Sequence, residues 1–290
     1  MNIIKETYKG KLDTNEEYDE LHSFLVKSNN EQYTYARFDW MMTNRSFLDS
    51  DNLDKIGIWK TNDEIVATVL YDHSIDAVYP IYLEGYEILF SDMLDYIENV
   101  MGKVNKDIEI FVRDNDHKLK EFLVNKGYRL EDYKETVMRF DLSKLPSFSL
   151  PKGFTYVSLE DKNYKAYSLC LFKGFDHESN NEKYVFNDQL YKEGYERKHV
   201  NSQLKVSISD SNEYIAHCGM WYDKNSLFAV VEPVCVIPRF RNKSFGKLVV
   251  YEGLRRVKEM GAKYALVGSD SPFYKQIGFE QYLTGSFYRK

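Results

Sequence analysis

Cysteine is scarce in this chain of 290 residues: Cys170, Cys218 and Cys235 are the only three, and none has the close spacing of a zinc knuckle or redox pair. A disulfide-stapled secreted module is therefore excluded, and the thiols read as reduced residues of a cytoplasmic protein. Histidine is nearly as sparse, with six scattered residues and no close ligand pair, so no metal site is expected. No apolar run reaches the about 18 residues of a membrane span, and the N-terminal MNIIKETYKGKLDTNEEYDE carries acids where a signal peptide needs an apolar stretch. Basic charge is in deficit, with 39 Lys and Arg against 45 Asp and Glu, which argues against a general nucleic-acid binder.

Aromatic residues, by contrast, are abundant. The 24 Tyr, 18 Phe and 3 Trp, with 43% hydrophobic residues overall, describe a folded protein with a sizeable core. The length favours two domains over one. Charge divides unevenly between them: residues 1–145 hold 18 basic and 29 acidic side chains, and residues 146–290 hold 21 and 16. Between Arg239 and Lys263 there are eight basic residues and two acidic ones, a density suited to a phosphorylated ligand if the segment folds around one and otherwise to a solvated helix face.

Two prolines, three serines and a glycine in LSKLPSFSLPKG predict a linker at 142–153. Before it, domain 1–141 reads as strand, helix, a strand hairpin, a further strand, then helix, strand, helix and closing strand. After it, domain 154–290 reads as strand, helix, one or two aromatic-rich helices, a three-strand meander, helix, strand, short helix and final strand. The reading is an α/β class with a mixed sheet flanked by helices in each half, the helix after the meander serving as a crossover. The endings match best: EFLVNKGY at 121–128 mirrors PFYKQIGF at 272–279, with Leu123 where the second half has Tyr274.

The chemistry concentrates in residues 230–279. Arg241-Asn242-Lys243-Ser244-Phe245-Gly246 joins a strand to a helix start, where unpaired backbone N–H groups from Asn242 to Lys247, the helix dipole and basic side chains would surround a pyrophosphate. With Val236-Ile237-Pro238 before it and Tyr274, Gly278 and Phe279 after it, this stretch resembles the GCN5-related N-acetyltransferase (GNAT) family, whose acyl-CoA loop runs Arg/Gln-x-x-Gly-x-Gly/Ala; Ser244 departs from it at the first glycine. The motifs cover about 50 residues, and a weakened copy over 1–141 makes the chain resemble a tandem member of the family with a degenerate N-terminal domain.

The resemblance implies acetyl-CoA as cosubstrate and direct attack by a primary amine of a small molecule or peptide, in a protein that contacts neither nucleic acid nor membrane and is a monomer or homodimer. It assigns the cofactor to Arg241, Asn242, Lys243, Ser244, Phe245, Gly246 and Lys247, and to the backbone of Cys235, Val236 and Ile237, where Pro238 ends a splayed strand. It makes Tyr274 the acid that protonates the departing thiolate. Glu232, six residues before Pro238, is the first base candidate and His217 the second. Cys235 reads as a core thiol and not a nucleophile, because no adjacent His or acid supports it. Phe172, Phe175, Tyr184, Phe186, Tyr191, Tyr195 and Trp221, with Asp176, Glu178 and Glu182, form either an acceptor wall for a cation or plain helix core. The alternative function is a non-catalytic acyl-CoA-binding or interaction protein.

Overall fold

A computed structural model of the chain describes residues 2–10, 15–43 and 48–290. The chain forms two compact units: Met1–Val137 with Gln281–Lys290, and Met138–Glu280. Among the described residues no helix is long and apolar enough to cross a membrane.

The first unit contains β1 (Ile4–Thr7), α1 (Glu16–Ser28), α2 (Tyr35–Thr43), β2 (Gly57–Thr61), β3 (Glu64–Asp72), β4 (Ser74–Tyr82), α3 (Phe90–Asn99), β5 (Glu109–Arg113), α4 (His117–Asn125) and the start of β6 (Arg129–Asp141). Strands β1 to β4 pair antiparallel, and β4 and β5 pair parallel at Ala77↔Glu109 and Val78↔Ile110. Helix α1 starts where the Asn15 side chain accepts the Tyr18 N–H, carries Glu16, Glu17 and Asp19 at its positive end, and buries Tyr18, Leu21, Phe24 and Leu25 at helical spacing. Helix α2 went unread in the sequence: Thr34 caps it, its hydroxyl accepting the Arg37 N–H at 3.1 Å, but its Tyr, Trp and Met residues lack the strong apolar stripe that marked α1.

The second unit contains β7 (Thr155–Ser158), α5 (Tyr164–Gly174), α6 (Asp188–Tyr195), β8 (Lys205–Ser209), β9 (Tyr214–Trp221), β10 (Phe228–Val236), α7 (Phe245–Glu259), β11 (Tyr264–Val267) and α8 (Pro272–Gln276); the chain then ends in β12 (Glu280–Arg289). Its strands run in the order β6-β11-β10-β9-β8-β7, with β10 and β11 parallel. The alternating side chains of β9 show which helix covers each face. His217 meets Tyr167 of α5, while a Cβ on Gly253 of α7 would lie 2.8 Å from Met220 and 3.3 Å from Cys218. Helix α7 ends as expected, at Gly261, which has φ of 113°.

The expected boundaries of 1–141, 142–153 and 154–290 differ from this division. Residues 281–290 belong with the first unit, because β12 pairs antiparallel with β5 from Gly285↔Arg113 to Tyr288↔Ile110. Met138 to Asp141 belong with the second, where they pair with β11. The segment 142–153 is also part of the second unit: Phe148 packs on Tyr251 of α7, with ring centroids 5.6 Å apart. Strand pairing between distant segments overrides the local proline and glycine signal.

Candidate active site

The site in the second unit begins where two parallel strands part. β10 and β11 pair only over Phe228↔Tyr264, Ala229↔Ala265 and Val230↔Leu266; beyond that β10 keeps β9 alone as a partner, through a bulge between Val231 and Val234. A cleft of about 760 Å³ opens there. Val234, Cys235 and Val236 line one side, Phe273, Gln276 and Ile277 another, and Asn242, Ser244, Gly246 and Lys247 the end formed by the helix start. The expected role of the Cys235 and Val236 backbone is thus compatible with their position. Ile237 is different, since its N–H is taken by the Ile215 carbonyl at 3.0 Å and it does not line the cleft.

The loop builds its donor cradle from strained backbone. Asn242 and Ser244 both lie in the left-handed region, with φ of 59° and 67°, so the position that resembles a family glycine does demand a glycine-like conformation. Within α7 the Leu248 N–H donates to the Ser244 carbonyl at 3.0 Å; the N–H groups ahead of it have no carbonyl one turn back. Phe245 pins the loop from below, against Phe154 at 4.6 Å and Phe240 at 5.6 Å. Gly246 lets the helix approach the opposite wall, because a Cβ there would sit 3.2 Å from Phe273 and 3.4 Å from Val236.

The basic residues divide into two roles. Arg241 donates from Nε to the Val236 carbonyl at 3.0 Å and from Nη2 to the Gly174 carbonyl at 2.8 Å, and pairs with Asp176 at 2.9 Å, so it ties the end of β10 to the end of α5 while bordering the cleft. Lys243 lies over the Phe240 ring at 5.5 Å, and Lys247 lines the cleft. Farther along α7, Arg255 and Arg256 both bind buried Glu252, at 2.7 and 2.9 Å. The basic surplus between 239 and 263 is therefore partly internal pairing.

Tyr274 stands on α8, half-buried between Phe273 and Phe279, with ring centroids at 5.1 and 5.4 Å. Burial, and then the neighbouring Cys218 and Glu232, push its phenol well above its usual value, so it stays protonated through neutral pH. Glu232 occupies the β10 bulge and is near enough to Tyr274 to contribute to that shift. Neither residue is among those that line the cleft; each directly adjoins one or lies two positions from one, Tyr274 next to Phe273 and Glu232 two before Val234.

His217 is corrected. It is fully buried, with Nδ1 3.0 Å from Ser207 Oγ and its ring edge-on to Tyr167 at 4.7 Å. Burial, then Lys205, lower its pKa to about 3, which makes it a neutral core imidazole outside the cleft and a poor base. Cys235 is buried too, its Sγ 3.7 Å from the Cys170 carbonyl, in keeping with a core thiol.

The proposed acceptor-wall aromatics largely satisfy one another. The Tyr167 and Tyr195 hydroxyls are 2.7 Å apart, Ser168 Oγ and Tyr184 2.6 Å, and Phe186 packs on Tyr191 at 5.6 Å. Glu182 pairs with His177 at 2.9 Å. The core reading accounts for these contacts. Gly174, Phe240, Phe273 and Gln276 line the cleft but were missed by sequence reasoning. Gly174 is needed because a Cβ would lie 2.5 Å from Cys235 Sγ, a contact between segments 61 residues apart that leaves no local signal. Phe273 was within reach, since it adjoins Tyr274.

A mixed sheet whose parallel strands splay beside a helix start, in each case within a strand–helix order repeated twice, defines the GNAT-like class of fold. Residues 161–279, within the second unit, match the model of the acetyltransferase (GNAT) family. Solved structures agree along the whole chain. A tandem GNAT protein from the clavulanic acid biosynthesis pathway aligns with a TM-score of 0.61 at 11% identity, covering 100% of this chain and 98% of that one. A GNAT-family acetyltransferase from Colwellia psychrerythraea gives 0.61 at 10% identity over 99% and 100%. A GCN5-related N-acetyltransferase from Sphaerobacter thermophilus gives 0.57 at 13% over 99% and 95%. At these identities the likeness is one of fold. No curated protein matches the chain.

Proposed function

We propose that the second unit is an N-acetyltransferase that uses acetyl-CoA and transfers its acetyl group directly to a primary amine. The observation that carries this reading is the continuity of the cleft of about 760 Å³ from the splayed β10 edge to the start of α7. An elongated thioester with a pyrophosphate fits such a shape: Asn242 to Lys247 supply backbone donors at one end, and Val234 to Val236 offer backbone along the length. Bound acetyl-CoA would bring the activated acyl group. Glu232 would take the proton from the attacking amine, directly or through water, as the C–N bond forms and the C–S bond breaks. Tyr274, still protonated at neutral pH, would give its proton to the departing sulfur.

The test is a panel of amine acceptors, followed by CoA release and by mass spectrometry of the acylated product, with Tyr274→Phe alongside. The substitution should leave acetyl-CoA affinity intact and lower kcat by about 10²-fold. Calorimetric binding of acetyl-CoA without product from any amine would turn the reading to a non-catalytic acyl-CoA-binding protein.

A further inference from the structure

We propose that Trp221 and Gly219 are positioning residues for the transfer reaction: together they hold the bulge of β10 that carries Glu232. The inference rests on the enzymatic reading above and adds to it two residues that touch none of the reacting atoms.

The register defines the bulge. Val231 pairs with Met220 and Val234 with Cys218, so Glu232 and Pro233 on β10 stand opposite Gly219 alone on β9. Two residues facing one take a carbonyl out of the ladder and re-aim the side chains around it. The displaced carbonyl is that of Glu232, and its donor is a side chain: Trp221 Nε1–H reaches it at 2.8 Å. Below the bulge there is room only for hydrogen. A Cβ on Gly219 would stand 2.2 Å from the Glu232 oxygen and 2.9 Å from Pro233 Cδ, distances that no side chain tolerates.

The indole is itself held in place. Lys205, only 1% exposed, sets its ammonium 3.2 Å from the centre of the Trp221 ring and donates to the Met220 carbonyl at 3.0 Å. A cation over an indole face away from water is a strong contact, and it fixes the ring that carries the N–H. Trp221 thus works on the bulge as a clamp from the side and Gly219 as a gap from beneath. Pro233 has no N–H to return to the ladder, so without the clamp the Glu232 carbonyl loses its donor and the residue that bears the carboxylate is held less firmly.

The test is a double-substitution cycle in the full-length protein, comparing wild type, Trp221→Phe, Glu232→Gln and the pair. Trp221→Phe keeps a ring over Lys205 and removes the N–H. It should lower kcat about tenfold, keep KM and calorimetric Kd for acetyl-CoA within about twofold, and move the acid limb of the kcat–pH profile. In the Glu232→Gln background it should cost nothing further. If Trp221→Phe melts early, the same cycle is run at a temperature where its far-ultraviolet spectrum and acetyl-CoA binding match wild type, and the same pattern is expected there. Equal losses in both backgrounds, or an unchanged kcat and pH profile, would overturn the proposal while leaving the acetyltransferase reading standing. A wild-type protein that acetylates no amine in the panel would remove that reading, and this one with it.

Discussion

Between β4 and β5 of the first unit, a chain of rings fills the step between the parallel strands: Tyr33 on Tyr79 at 4.8 Å, Tyr79 on Phe111 at 5.1 Å and Phe111 on Phe287 at 5.2 Å. The space left is about 10 Å³, less than a comfortable water site. Between β10 and β11 of the second unit, the corresponding step opens into about 760 Å³. The helices that follow differ in charge as well. Before α3 comes a short 3₁₀ turn with Glu87, and Asp92 lies in the first turn of α3, whereas the first turn of α7 has no acid and Lys247 lines the cleft. The same order of strands and helices can therefore carry an open cleft or, among the described residues, a ring-filled step, depending on a few aromatic side chains and the basic loop at one helix start. Leu123, buried in α4 at the place that Tyr274 holds in the second unit, completes the contrast.

The largest expected effect comes from opening the sealed member. Phe111→Ala removes the central ring of the stack and should cost about 3 to 5 kcal/mol in denaturant unfolding. It should not create a second acetyl-CoA site, because no basic loop precedes α3 and the acids at its start, Glu87 and Asp92, already hold Lys118 and Lys5 in ion pairs. Calorimetry giving two acetyl-CoA sites per chain would show that ring filling alone separates the units.

The converse change narrows the open member. Gly246→Val places methyl groups toward Phe273 and Val236, each already within 3.4 Å of where a Cβ would stand. Acetyl-CoA affinity should fall about 10²-fold, near 2.7 kcal/mol, and crowding of Phe273 and Val236 should lower the melting temperature as well. Unchanged affinity would place the ligand elsewhere than the helix start.

These contrasts were only partly written in the sequence. The loop from Arg241 to Gly246, Tyr274 and its counterpart Leu123 were legible because each lies in a short run whose residue types can be read locally. The repeated strand–helix order was legible from apolar periodicity. The departures all depend on contacts between distant segments: the pairing of β12 with β5, Gly174 against Cys235, and the reach of Trp221 to the Glu232 carbonyl. Arg241 shows how far a motif can mislead. The residue type fits a phosphate, but its guanidinium is engaged by two backbone carbonyls and Asp176. His217 looked titratable at its ordinary value until the fold buried it beneath Tyr167.

Buried histidines offer a third comparison. His22 of the first unit lies 2.9 Å from the Asp39 carboxylate, and His217 of the second lies against the Ser207 hydroxyl at Nδ1, with no carboxylate paired to it among the described residues. The folded pKa of His217, about 3, is below the ordinary 6.5 of an exposed imidazole, so the unfolded chain binds the proton first. Its stabilising effect is complete above about pH 6.5 and is lost as pH falls toward 3. Between pH 7 and 4.5 this residue should remove about 2 to 3 kcal/mol. The urea midpoint of the wild type should thus fall more steeply over that interval than that of His217→Leu, and segment-resolved amide exchange should show the second unit loosening. Parallel slopes for the two proteins would deny His217 this role.

The smallest effect tests the loop itself. Ser244 holds a left-handed φ of 67° and makes no capping bond with its side chain, so its Cβ brings strain without a compensating contact. Ser244→Gly relieves that strain but frees the unfolded chain, and the two opposing terms leave a net gain of about 1 kcal/mol or less. Acetyl-CoA affinity should hold or rise slightly, because the backbone donor is unchanged and the loop reaches its bound geometry more easily. A large loss of affinity would mean that the Ser244 hydroxyl binds the ligand. The open cleft of the second unit would then depend on a side chain at this position, and its difference from the first unit would go beyond ring filling and helix-start charge.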